Sequence, residues 1–98
     1  MTETLKNLTW DLTNEIASVG TKVETLKDVQ VLMAHLREDM DGAVYRNEEA
    51  AYYKENHRMV RVLSELLYYT VNDLNRIYDN ADKIGERIHR LSRKNEEN

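Results

Sequence analysis

Leu5, Leu12, Val19, Leu26, Met33 and Met40 stand seven residues apart along the first forty positions. No other feature constrains the fold as strongly. Seven residues make about two turns of an α-helix, so the row lies along one side of a helix and must be covered. A second row, Leu8, Ile16, Val23, Val29 and Leu36, falls three or four residues from the first. Together they form the paired apolar rows of a coiled-coil seam. The pattern starts near Thr2, a residue suited to cap a helix, and runs to Met40. Gly20 costs about 1 kcal/mol relative to alanine inside a helix. The repeat keeps phase across it, so one helix is expected over 2–40.

Asp41-Gly42 is the strongest turn signal, because glycine accepts the left-handed conformation that ends helices and Asp turns readily. A reversal is expected at 41–43. Helical spacing then resumes from 44 to 94 through Met59, Leu63, Leu66, Thr70, Leu74, Ile77, Ala81, Ile84, Ile88 and Leu91, widened by Val60, Leu67, Val71 and Tyr78. Arg58, Arg61, Glu65, Arg76, Lys83 and Glu86 occupy the other face, as in an amphipathic helix. Asp79-Asn80-Ala81-Asp82 offers caps for a short third helix. Ile77, Ala81, Ile84 and Ile88 stay in phase through it, so a continuous helix is expected. The fold class is all-α: one domain over 1–98, a long helical hairpin with heptad seams.

A reversal at Gly42 sets Leu26 near Met59 and Leu5 near Asn80. Residues 82–94 then overhang, leaving Ile84, Ile88 and Leu91 uncovered. The apolar stripe of the second helix is also wider than one partner helix can bury. A homodimer, as a four-helix bundle or coiled coil, would answer both problems. Its seam would comprise Leu5, Leu12, Val19, Leu26, Met33, Leu63, Leu66, Leu74, Ile77, Ile84, Ile88 and Leu91. An antiparallel arrangement would bring the acidic turn (Glu38, Asp39, Asp41, Glu48, Glu49) towards the partner's basic end (Lys83, Arg87, Arg90, Arg93, Lys94). Complementing the helix dipole is the other reading of those late cations.

Chemistry finds little foothold. The absence of cysteine among 98 residues excludes disulfides, a thiol nucleophile and cysteine-bound zinc. No apolar run reaches the roughly 18 residues of a membrane span, and the start carries no apolar signal core, so a cytoplasmic location is expected. Net charge is -4, which gives no general reason to expect nucleic acid. Glu86 and His89 match the Glu-x-x-His spacing of di-iron bundles, but Glu86 lies opposite the apolar stripe. There is neither a glycine-rich phosphate loop nor a nucleophile elbow. The expectation is no enzyme, no cofactor and no metal.

Aromatic placement says more. Tyr45, Tyr52 and Tyr78 lie on or beside the stripe and are expected in the core, whereas Tyr53 and Tyr68 sit off it. Trp10 lies roughly 150° from the seam of its helix, sharing that angle with Ala17 and Val31. Trp and Tyr are frequent interface anchors. Trp10, Val31 and Tyr68 are therefore candidate contacts for another protein, or else pack within the oligomer. The acidic turn is a second candidate, able to enter a basic nucleic-acid groove on a nuclease.

The segment from Tyr52 to Tyr69, YYKENHRMVRVLSELLYY, resembles the second helix of small proteins carried by phages and mobile elements of Gram-positive bacteria. The whole chain is similar to them in length and layout. That resemblance implies an accessory role: binding a host protein and inhibiting or redirecting it, as anti-defence proteins including CRISPR inhibitors do. A self-assembling scaffold or assembly chaperone is the alternative.

Overall fold

A computed structural model describes residues 4–97, with side chains described from 4 to 94. Two helices account for nearly all of it, α1 over Leu5–Tyr45 and α2 over Glu49–Glu97. There is no strand among the described residues. The all-α helical hairpin expected from the heptad rows is the fold that forms.

Helix ends are set by local chemistry. Thr4 caps α1, its Oγ1 accepting the Asn7 N–H at 3.1 Å. Thr2, the expected cap, lies outside the described residues. The reversal is at 46–48, not at 41–43. Asp41 and Gly42 are helical, and no glycine takes a positive φ among the described residues. Asn47 does so instead, at φ 57°. The Glu48 N–H donates to the Ala43 carbonyl at 2.7 Å and the Asn47 N–H to that of Val44 at 3.1 Å. This crossed pair satisfies the last carbonyls of α1 around a left-handed residue, a role asparagine fills when glycine is absent. At Gly42 a Cβ would meet only the end of the Arg46 side chain, Nη1 at 3.1 Å. The same guanidinium donates from Nε to Glu48 Oε2 at 3.1 Å. α2 is unbroken through 79–82.

Along its length the chain divides into two compact units, Val23–Val71 and Met1–Lys22 with Asn72–Asn98. A helix side chain reaches only neighbours at its own level, so paired helices make contacts that are local along the axis.

The Val23–Val71 unit contains the turn. Val29, Ala43, Leu63 and Thr70 are buried, and Leu26, Leu36, Asn56 and Met59 half-buried. Val29, Leu36 and Ala43 are seven apart, as are Asn56, Leu63 and Thr70. The Thr70 hydroxyl donates to the Leu66 carbonyl at 2.7 Å, which satisfies it inside the seam. Met33 and Leu66 are more exposed than their expected seam role implies.

In the other unit Leu8, Ile77 and Ile84 are buried, and Leu12, Val19, Leu74, Ala81, Ile88 and Leu91 half-buried. Leu5 stands at the margin, more than a third exposed. The second seam row departs from expectation: seven-residue steps from Leu8 reach Glu15 and Lys22, both half-buried, while Ile16 is 61% exposed. Lys22 Nζ meets Asp73 Oδ2 at 2.9 Å, and Arg76 Nη2 meets Asp73 Oδ1 at 3.4 Å. The Lys22 hydrogen bond holds the Asp73 carboxyl below its ordinary pKa, with partial desolvation opposing it and the Lys22 and Arg76 charges adding to it.

Lys22–Asp73 also reports the register. Moving the reversal from Gly42 to Asn47 shifts every cross-helix partner by twice that distance along α2. The expected overhang of 82–94 disappears with it. Ile84, Ile88 and Leu91 are covered within the hairpin, so uncovered residues there no longer argue for a dimer.

Candidate interaction surfaces

Trp10 is 66% exposed, Tyr68 64%, and Val31 more than half exposed. Trp10 belongs to the unit holding the chain ends, Val31 and Tyr68 to the unit holding the turn. Tyr68 packs edge-on against Tyr69, ring centroids 5.5 Å apart at 77°, so both rings stand together in solvent. The tyrosines expected in the core are not buried. Tyr45 ends α1 rather than beginning α2 and is 89% exposed, Tyr78 is well exposed, and Tyr52 is partly so. A seam only two rows wide has no room for rings flanking it.

The acidic candidates are spread around the turn. Glu38 and Asp39 line a shallow groove of about 240 Å³ together with Gly42, Arg46, Tyr52, Glu55 and Asn56. Arg46 crosses Gly42 and binds Glu48, so a cation lies among the acids. Asp41 is exposed on α1, and Glu49 is the acid in the first turn of α2, where the helix dipole favours it. Glu86 and His89 share a groove with Ala81, Asp82, Gly85 and Arg90, and both are exposed. No helix of the described residues is long and apolar enough to cross a membrane.

A third feature escapes reading by pairs of residues: the two flanks of α2 within the Val23–Val71 unit differ in charge. On α2, the positions 53, 57, 60, 64, 67 and 71 are Tyr, His, Val, Ser, Leu and Val, with no Asp, Glu, Lys or Arg. Their spacing is that of one helix face. Across the seam, 55, 58, 62, 65, 69 and 72 are Glu, Arg, Val, Glu, Tyr and Asn. Two apolar grooves open beside the uncharged face of α2. One, about 230 Å³, is lined by Met40, Ala43, Val44, Glu49, Tyr53, Asn56, His57 and Val60. The other, about 550 Å³, is lined by Leu26, Val29, Gln30, Met33, Ala34, Arg37 and Leu67. Tyr53 and His57, which line the smaller groove, stack at 6.1 Å and 26°. The sequence carries this signal in the distribution of charge around α2, face by face, rather than in any single catalytic or aromatic residue.

Family and structure comparisons add nothing to this geometry. No protein-family model, curated protein or solved structure matches the chain.

Proposed function

We propose that this protein is a non-enzymatic helical interaction module that binds a host protein and inhibits or redirects it, as a small accessory protein of a phage or mobile element would. One observation carries the reading: Trp10 and Tyr68 are large aromatic side chains held in solvent on long helices. Exposing such rings costs solubility. Rigid helices present them with little further loss of conformational freedom on binding. The acidic turn is the second contact, and Arg46 lowers its net charge. The reading places the protein in the cytoplasm with its target.

Affinity purification from a Gram-positive bacterial lysate, with intact-mass readout, tests this. The wild-type chain is expected to retain one host protein in fixed proportion, and Trp10→Ala to weaken that complex by about 30-fold or more, the scale of an interface hot spot. Equal recovery by the variant removes Trp10 from the contact. A wild-type chain that retains no host protein overturns the reading in favour of a self-assembling scaffold, which the two apolar grooves of the Val23–Val71 unit support.

A further inference from the structure

We propose that the side of the Val23–Val71 unit that carries the two apolar grooves is where a second copy of this chain docks, the two hairpins forming a four-helix bundle. The inference holds whether or not a host protein binds Trp10. A seam between two helices needs two apolar rows. Here a third row, Val23 and Val44 on α1 with Val60 and Leu67 on α2, remains exposed beside it. Apolar residues at three of seven positions mark helices that line the core of a bundle rather than a two-stranded seam.

On α2 the row keeps the seam's own period through Tyr53, Val60 and Leu67, whereas on α1 Gln30 and Arg37 stand between Val23 and Val44. A seven-residue row drifts around a straight helix and stays in line only on a left-handed supercoil. A partner that follows it for its whole length must share that supercoil and present apolar side chains at the same spacing. A second copy offers Tyr53, Val60 and Leu67 in that spacing.

Charge selects the same side. A two-fold contact sets a patch against its own copy. The groove carrying Glu38, Asp39 and Glu55, with Arg46 as its one cation, would bring an excess of acids into a desolvated contact, whereas the two grooves of the other side are lined by one charge of each sign, Arg37 and Glu49. Size is adequate too. Val23 to Val44 spans roughly 33 Å at about 1.5 Å per residue, and two packed helices are about 20 Å wide. The footprint, about 650 Å² before corrugation, approaches the roughly 800 Å² per partner of a stable interface.

Val60 and Val62 supply a matched test, being 45% and 46% exposed on opposite flanks of α2. The chain has no cysteine of its own, so V60C and V62C each carry one thiol. Maleimide labelling of the purified full chain is followed against concentration, with sedimentation for mass and circular dichroism for helicity. At concentrations giving twice 11.6 kDa, V60C is expected to react about tenfold more slowly than V62C, as for a site free in one molecule of ten. The rates should converge on dilution to the monomer. A monomer at all concentrations, with equal rates, overturns the proposal, and so does protection of V62C instead. Protection of V60C that arises only when bacterial lysate is added assigns the face to a foreign partner and overturns it as well.

Discussion

The two units are built from the same two helices and the same seven-residue repeat, yet they fill their seams differently. In Val23–Val71 the buried side chains are Val29, Ala43, Leu63 and Thr70, the one hydroxyl being satisfied by its own helix. In the unit formed by the chain ends, Leu8, Ile77 and Ile84 are buried, but Glu15, Lys22 and Asp73 also take seam positions. Apolar side chains in a seam are interchangeable to a degree and tolerate slippage by one heptad. A charged pair that meets at 2.9 Å does not. The difference separates two jobs: apolar rows supply the stability, and the Lys22–Asp73 pair fits only the register that the turn sets.

Emptying the apolar seam is the strongest way to break the comparison. Leu63→Ala in one unit and Ile77→Ala in the other each remove a nearly fully buried side chain. Each should cost about 3 kcal/mol in urea unfolding, because the cavity adds to the lost transfer energy. A cost below about 1 kcal/mol at either site would show that its unit is not held by that seam.

The turn comes next in size. Asn47→Ala places an ordinary side chain at φ 57° and should destabilise the hairpin by about 1 kcal/mol, while Asn47→Gly should be neutral or stabilising. Gly42→Ala sharpens the point. Its backbone is helical, so any loss comes from displacing Arg46 and should disappear in the Arg46→Ala background.

Smallest is the effect of pH on the charged seam. The carboxyl of Asp73 titrates below its ordinary value in the folded chain. Its contribution is therefore present above the unfolded-state pKa and is lost as pH falls through the lower folded pKa. Asp73→Asn should remove that part of the acid dependence of the thermal midpoint. Amide protection factors should show the loss around Lys22 and Asp73 and spare Leu63. An unaltered acid limb in the variant would mean that the pair contributes nothing to stability.

Much of this was legible from the sequence because a heptad row is a local property. Leu5, Leu12, Val19 and Leu26 announce a helix whatever surrounds them, and Leu63, Ile77 and Ile84 mark the face that a partner helix must cover. The turn was misread by five residues because two weak signals competed. Asp41-Gly42 has the stronger intrinsic preference, but a helix already running through Met40 continues while its seam is being buried, and Ala43 extends that seam by another heptad. Asn47 then stops α1 with a crossed pair of hydrogen bonds that glycine usually accompanies.

From that displacement came the second error. Ile84, Ile88 and Leu91 looked uncovered because the register was wrong, not because the hairpin was too short. Trp10, Val31 and Tyr68 were readable as outward-facing, since the angle around a helix follows from spacing alone. The core placement of Tyr45, Tyr52 and Tyr78 was not, because nearness to a stripe does not say how wide a strip the facing helix covers.

By itself the sequence determined that this chain forms two long amphipathic helices with seven-residue seams, since hydrophobic periodicity is written one turn at a time. Only the tertiary structure decided where the chain reverses, that Lys22 meets Asp73, and which rows remain open beside the seam. Those depend on contacts between residues far apart in the chain, and the position of a single left-handed asparagine sets them all.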